Sequence, residues 1–223
     1  MFYAPNRLPN WFRLPEGLVA PEVADEVIRA GWARLVSGAG HPVELADTLK
    51  IAALGKLNDD QAAELATILR NTRLRQQQEA HAVDPNLRRA LLTLRDQGMI
   101  TFVDHLPWDQ DNAFDIISDR ARSSDHWKGY VFYDQVDVER SSLLLEGSVW
   151  LTFGVLRRAY LTVAEREAMT KEEVDSFLDA RAVELAEQVI CPELEKAGMT
   201  VEWNGTPAQR LMVHGAEVYH PIR

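Results

Sequence analysis

Apolar residues recur at the three- and four-residue spacing of an α-helix through most of the first 98 positions. Four helices are predicted there, beginning near Pro21, Pro42, Asn58 and Asp84-Pro85, with Gly98 just after the end of the last. The prolines and aromatic residues of positions 1–17 are not compatible with a regular helix. They predict an extended arm that packs on the body of the protein or on a neighbouring subunit.

After Gly98, short apolar runs with strand composition alternate with amphipathic segments. The predicted strands cover residues 99–103, 130–133, 148–154, 199–203 and 211–213. Both faces of the 130–133 strand are apolar, so it should be covered on both sides. The 134–147 link is too long for a tight hairpin and predicts a loop or short helix. Capping-box spacing at Thr162/Glu165 and Thr170/Glu173 predicts two further helices.

This order of elements predicts an α+β fold, with a mainly antiparallel sheet of four to five strands backed by helices. A helical N-terminal subdomain precedes the sheet. The predicted division places the Pro-rich arm and four helices in residues 1–98 and the α+β sheet domain in residues 99–223. The change of pattern at Gly98 is the only boundary that the sequence supports.

Charge is distributed unevenly along a chain whose formal net charge is −10. Residues 104–139 and 165–196 are strongly acidic, whereas residues 61–95 are rich in arginine. Binding to nucleic acid depends on neutralising phosphates, so nucleic acid is not an expected partner of this acidic chain. An acidic surface favours a basic protein partner instead. The N-terminal arm suggests a second association, a homo-oligomer.

No apolar run reaches the roughly 18–20 residues that a transmembrane helix requires. The first 17 residues also lack the apolar core of a signal peptide. Cys191 is the only cysteine, which excludes an internal disulfide and fits a reducing cytoplasm. A soluble cytoplasmic protein without a membrane partner is therefore predicted, and Cys191 is expected to be a buried, inert thiol.

The sequence contains no phosphate-binding glycine loop, paired cysteines, nucleophile elbow or H-E-x-x-H motif. Polar residues do collect at the predicted strand ends, namely Asp104, His105, Asp134, Asp137 and Glu139. Asp104, Asp134, Asp137 and Glu139 are candidate ligands for a divalent metal, which could activate water for hydrolysis. Two close carboxylates could instead divide the roles of acid and base, with His105 as a further candidate.

Four tryptophans fall in or beside the predicted sheet: Trp108, Trp127, Trp150 and Trp203. Core packing is their expected role. Aromatic side chains also line small-molecule pockets, so a ligand-binding domain with tryptophan walls stays open.

The segments GYVFYDQVDVER, GSVWLTFG and GMTVEWNGTPAQRLMV resemble an uncharacterised bacterial family, a domain of unknown function. The resemblance covers about residues 128–213. The family pattern places a histidine–glutamine pair and an acid-x-Glu after a strand that ends in aromatic residues. Tyr133, Gln135, Asp137 and Glu139 match that pattern, whereas Asp134 stands in place of the histidine. The resemblance implies no activity, but it implies that the polar link after Tyr133 is shared.

Three functions follow as hypotheses. The leading one is an acidic protein-binding module that neutralises a basic partner, as immunity proteins and antitoxins do. A metal-dependent hydrolase is the first alternative, and a small-ligand-binding domain is the second. No cofactor is predicted apart from the divalent metal of the hydrolase hypothesis, and the lack of a catalytic motif favours a protein that is not an enzyme.

Overall fold

The computed structural model describes residues 4–79, 84–103, 105–144 and 148–222. They form the predicted α+β fold, with helices and one mixed sheet. The helices are α1 (Pro21–Val36), α2 (Pro42–Ala52), α3 (Asp59–Glu79), α4 (Asn86–Asp96), α5 (Gln110–Ser123), α6 (Gln135–Leu144), α7 (Val163–Glu167), α8 (Lys171–Leu185) and α9 (Cys191–Lys196). The strands are β1 (Met99–Ile100), β2 (Gly129–Phe132), β3 (Ser148–Val155), β4 (Thr200–Glu202) and β5 (Leu211–His214). Short 3₁₀ helices cover Ala4–Asn6 and Arg157–Ala159, and Ala186–Ile190 forms a π-helical turn.

The chain divides into two compact units. The helical unit comprises residues 1–83, 138–146 and 219–223, and the sheet unit comprises residues 84–137 and 147–218. All the strands described lie in the sheet unit, together with α4, α5, α7, α8 and α9. Helix α6 begins in the sheet unit and ends in the helical unit.

In the helical unit, α1 approaches α2 and α3 closely at Gly31. A Cβ atom on Gly31 would lie 2.6 Å from Leu49 Cδ2 and 2.9 Å from Leu69 Cδ1, so a larger residue would force these two side chains to shift. Leu49 and Leu69 are fully buried, as are Leu45 and Leu65 beside them in the same helices. The core of this unit therefore includes a leucine-rich contact that is closely packed against Gly31.

The N-terminal arm packs on its own unit, which is one of the two arrangements predicted for it. Arg73 of α3 is fully buried, and its Nη1 donates to the Pro5 carbonyl at 2.9 Å. Its Nη2 donates to Asn6 Oδ1 at 3.1 Å and to the His220 carbonyl at 3.2 Å. Trp32 Nε1 donates to the Asn6 carbonyl at 2.8 Å. One buried guanidinium thus holds both the arm and the C-terminal tail.

The sheet has the order β1-β2-β3-β5-β4. β1 pairs with β2 in parallel, and the other neighbours are antiparallel, which confirms the mainly antiparallel prediction. Val131 and Phe132 are both fully buried, so β2 is covered on both faces as predicted. The link after β2 contains the short helix α6, one of the two forms predicted for it.

One predicted boundary, the end of the first strand, is wrong. The first strand was predicted over residues 99–103, but the ladder stops after Ile100. The Thr101 carbonyl instead accepts from Arg120 Nη1, and its hydroxyl donates to the Leu91 carbonyl. Helix α4 begins at Asn86, next to the predicted Asp84-Pro85 start, and the Asn86 amide donates to the Glu217 carboxylate.

The C-terminal helices form one continuous run from α8 through the π-helical turn to α9. Pro192 lies in the first turn of α9, and Gly198 adopts a positive φ of 88° just beyond its end. Among the helices of the described ranges, none has the length and apolar composition needed to cross a bilayer.

Candidate functional site

The polar link after β2 begins with two aspartates that cap α6 reciprocally. The Asp137 amide donates to Asp134 Oδ1 at 2.8 Å, and the Asp134 amide donates to Asp137 Oδ2 at 3.3 Å. This is the geometry of a capping box, in which the cap residue and the third helical residue satisfy each other's amides. Both aspartates are 3% exposed. The local sequence therefore gives Asp134 and Asp137 a structural role at the start of the helix.

Asp137 also forms an ion pair with Arg210 of the segment before β5. Arg210 Nη1 donates to Asp137 Oδ1 at 3.0 Å, and Nη2 donates to Asp137 Oδ2. The same Nη2 donates to the Trp150 carbonyl at 2.9 Å, while the buried Nε has no hydrogen-bond partner among the described residues. Bidentate pairs of this kind are strong and geometrically specific. The pair ties the start of α6 to the sheet.

Asp134 forms no such ion pair with any residue that the structure describes. Burial, together with the nearby charge of Asp137, raises the pKa of Asp134 to about 6, although the Asp137 amide and Arg210 act in the opposite direction. When protonated, Asp134 can donate to the Asp137 carboxylate. Burial also raises the pKa of the Tyr133 phenol. Asp134 can therefore exchange a proton near neutral pH.

The remaining predicted site residues do not join this pair within the described chain. Glu139 lies in the helical unit, where its Oε1 accepts from Arg34 Nη1 at 2.5 Å and from Ser37 Oγ at 3.2 Å. His105 is exposed, and Asp104 lies outside the described residues. No group of three histidine, cysteine or acidic side chains in the described ranges could hold a metal ion. The metal site, which includes Asp104, stays a prediction.

Neither the tryptophans nor Cys191 forms a chemical centre in the described structure. Trp108 is 64% exposed, Trp127 packs beside a buried hydrophobic cluster, and Trp203 meets Phe153 edge-on at 5.5 Å. Cys191 is half-buried, and burial followed by the charges of the nearby glutamates raises its pKa to about 11. The thiol therefore stays protonated at neutral pH, as expected for an inert cysteine.

A cleft in the sheet unit has the dimensions of a ligand site. Its volume is about 630 Å³, and small-molecule pockets commonly measure about 300–1,000 Å³. Its walls come from the end of α4, the start of β2, the Arg157–Ala159 segment, α8 and the π-helical turn. The lining residues are Gln97, Lys128, Ala159, Tyr160, Arg181, Glu184, Leu185, Gln188 and Val189. We call this group the α8 cleft.

The fold explains why the α8 cleft lies at this place. A Cβ atom on Gly129 would lie 2.8 Å from Leu185 Cδ2 and 2.5 Å from the Gly154 carbonyl oxygen, so β2 and α8 meet closely there. Leu185 is a buried residue of the cleft lining, whereas Lys128, which directly precedes Gly129, is exposed. The π-helical turn directly follows Leu185 and places Gln188 and Val189 in the lining. Single π turns within helices are frequent at functional sites.

The charges of the α8 cleft are only partly balanced. Arg181 Nη1 binds Glu184 Oε2, and the Arg181 guanidinium also lies 5.3 Å from the centre of the Phe177 ring. Lys128 forms no ion pair with any described residue. Burial, and then the charge of Glu184, raises the pKa of Tyr160, so its phenol stays protonated and can donate. The lining therefore has a local charge of about +1 in a chain of net charge −10.

Sequence patterns do not single out the residues of the α8 cleft. Lys128 appears there only as one base in an acidic stretch, and Arg181 as one polar position on an amphipathic helix. The π-helical turn is the feature that distinguishes this helix, and it has no recognisable pattern in residues 186–190. The cleft becomes visible only when the start of β2 is placed against α8.

Comparison with curated proteins and with solved structures found no match to this chain. A family model described as "Domain of unknown function (DUF6891)" matches residues 20–219, a longer span than the resemblance over residues 128–213. The match includes the α6 cap, the α8 cleft and the N-terminal helices. The chain therefore belongs to the DUF6891 family, a family of domains of unknown function.

Proposed function

We propose that the protein binds a small polar ligand carrying one anionic group, such as a carboxylate or a phosphate, in the α8 cleft. The observation that carries this proposal is the position of Lys128, whose ammonium group has no ion-pair partner in the described chain. Arg181 and Glu184 neutralise each other, so an anion entering beside Lys128 meets a net positive charge. This function corresponds to the small-ligand hypothesis, with charged and amide walls in place of tryptophans.

The rest of the cleft suits the neutral part of such a ligand. Tyr160 offers a hydroxyl, and Gln97 and Gln188 each offer an amide with both donors and an acceptor. Leu185 and Val189 supply the apolar surface. Pockets usually combine apolar walls with a few polar groups that fix orientation. The polar share here is large, which favours a hydroxylated or amide-bearing ligand over a purely apolar one.

The first test is a thermal shift of the purified protein with inorganic phosphate and with lactate as separate probes. A probe that binds only the folded state raises the melting temperature. At a concentration of 100 times its Kd, such a probe increases the free energy of unfolding by about 2.7 kcal/mol. Lys128→Met should abolish the shift. Lys171→Met, at the start of α8 and outside the cleft lining, is the matched control and should retain it.

Two results would contradict the proposal. One is a shift of equal size in Lys128→Met and Lys171→Met, because general anion effects do not depend on the cleft. The other is the absence of a shift with either probe at concentrations of about 10 mM, together with unchanged amide resonances of the cleft residues in an NMR titration.

Neutralisation of a basic protein is the second candidate, and the surface of α8, the π-helical turn and α9 favours it. Asp175, Asp179, Glu187 and Glu195 are exposed there and form no ion pair with the described residues. Such a surface accelerates association with a basic partner at low salt. Binding to a polylysine peptide should weaken with salt and with Asp175→Lys/Asp179→Lys. A matched Asp111→Lys/Asp115→Lys control on α5 should bind as the wild type does.

A further inference from the structure

Three adjacent strands of the sheet unit bring together a serine, a histidine and a glutamate outside the α8 cleft. Ser148 begins β3, His214 ends β5, and the two residues are direct partners in the β3–β5 register. Glu202 ends β4, which pairs with the other side of β5. Ser148 Oγ lies 2.7 Å from His214 Nδ1, and His214 Nε2 lies 3.3 Å from Glu202 Oε2.

The chemistry of the glutamate fixes the direction of both hydrogen bonds. An ionised carboxylate only accepts, so the contact with Glu202 requires a proton on His214 Nε2. In the neutral imidazole, Nδ1 then carries the lone pair and can only accept. Ser148 must therefore donate its hydroxyl proton to Nδ1. This is the arrangement of a nucleophile, a base and a group that orients the base, although the two ring nitrogens have exchanged the roles they have in serine proteases.

We infer that Ser148 is an activated nucleophile that accepts an acyl group from an ester. Ser148 Oγ attacks the carbonyl carbon and forms a new C–O bond while its proton moves to His214 Nδ1. The ester C–O bond then breaks, and the leaving alkoxide takes that proton to depart as an alcohol. Water, deprotonated by the same nitrogen, attacks the acyl-serine and releases a carboxylic acid, which restores Ser148.

The strands hold these groups rigidly and leave them accessible. Val149 and Val213, the neighbours of Ser148 and His214 along their strands, are buried and face each other in the ladder. The side chain of His214 is 44% exposed and that of Glu202 is 76% exposed, so an ester can reach the pair from solvent. Glu202 is a positioning residue, because it acts on the substrate only through the imidazole. Neither the α8 cleft nor its ligand enters this reaction.

The test is the labelling of the full chain by a fluorophosphonate, with the modified serine mapped by mass spectrometry, alongside hydrolysis of p-nitrophenyl acetate. Ser148 should be labelled at least about 100-fold faster than Ser176, a serine exposed on α8 that serves as the internal control. Ser148→Ala should remove the label, and His214→Gln should slow it by about 100-fold.

Glu202→Gln separates a positioning role from a structural one. Glutamine can donate to Nε2 and thereby stabilise the wrong tautomer, in which Nδ1 no longer accepts from Ser148. Labelling should then slow by about tenfold or more, while the melting temperature stays at the wild-type value because Glu202 is exposed. Labelling of Ser148 at the rate of Ser176, or a rate unchanged in His214→Gln, would overturn the inference.

Discussion

Replacing Asp134 with asparagine should stabilise the protein at neutral pH, although it changes a buried helix cap. Asparagine keeps the acceptor for the Asp137 amide and is as good an N-cap residue as aspartate. It also has an amide group that can donate to the Asp137 carboxylate. The charge that is lost is the one that burial and Asp137 disfavour, since together they raise the pKa of Asp134 to about 6.

The size and the pH range of the effect follow from the pKa. A carboxyl whose pKa is raised on folding contributes stability that is fully present below its unfolded value of 3.8 and is lost as the pH rises through about 6. A rise from 3.8 to about 6 corresponds to roughly 3 kcal/mol. The weaker interaction of a neutral cap with the helix dipole offsets about 1 kcal/mol of that. Asp134→Asn should therefore gain about 1–2 kcal/mol above pH 6, and the gain should vanish near pH 4.

Asp137→Asn is the matched control, because it makes the same chemical change at the other half of the cap. It leaves Arg210 without its carboxylate, which costs about 3–5 kcal/mol for a fully buried pair. The Arg210 side chain is 26% exposed, so a loss of about 2–3 kcal/mol is expected. Urea unfolding of both variants and the wild type, at neutral pH and near pH 4, measures these differences. A destabilised Asp134→Asn at neutral pH, or a gain that persists unchanged near pH 4, would refute the reasoning.

Three further predictions concern other parts of the fold. Burial, and then the charge of Arg73, lowers the pKa of His220 to about 4. Between pH 6.5 and 4 only the unfolded chain binds this proton, so the free energy of unfolding of the helical unit should fall by roughly 3 kcal/mol over that range. His220→Gln should flatten that decline in urea unfolding. Gly129→Ala should lower the free energy of unfolding by about 2 kcal/mol or more, because the new Cβ would lie 2.5 Å from a backbone oxygen. Gly205→Ala is the control: its Cβ meets open space at a φ of 79°, so it should cost only about 1 kcal/mol in the same assay. Thr170→Ala should lower the free energy of unfolding by about 1 kcal/mol, because its hydroxyl accepts from the Glu173 amide; Thr170→Ser keeps the oxygen and should match the wild type.

The features that the sequence predicts well are those whose partners lie within a few positions. The capping boxes of α7 and α8 are present as predicted, with the Thr162 and Thr170 amides bound by Glu165 and Glu173. The central strands likewise follow from their own apolar residues. Hydrogen bonds between residues a few positions apart form within the element itself, so they do not depend on what the element packs against.

The candidate sites depend instead on pairings between distant positions, which no local pattern encodes. Asp137 and Arg210 are 73 residues apart, and Ser148 and His214 are 66 residues apart. A shift of one residue between β3 and β5 would turn Ser148 away from His214, because successive strand residues face opposite sides. The acidic cluster was visible in the sequence, but the arginines that bind Asp137 and Glu139 were not.

The same dependence on register distinguishes the two kinds of site in this chain. The Asp134–Asp137 cap forms together with α6, so substitutions at these two residues are expected to change stability first. The Ser148–His214–Glu202 contacts and the α8 cleft form only when separate strands and helices have docked correctly. Both combine residues from distant positions of the chain, and polar groups that converge from separate elements are candidates for function. Substitutions at Ser148 and Lys128 should therefore change labelling or ligand binding while leaving the unfolding free energy within about 0.5 kcal/mol of the wild type.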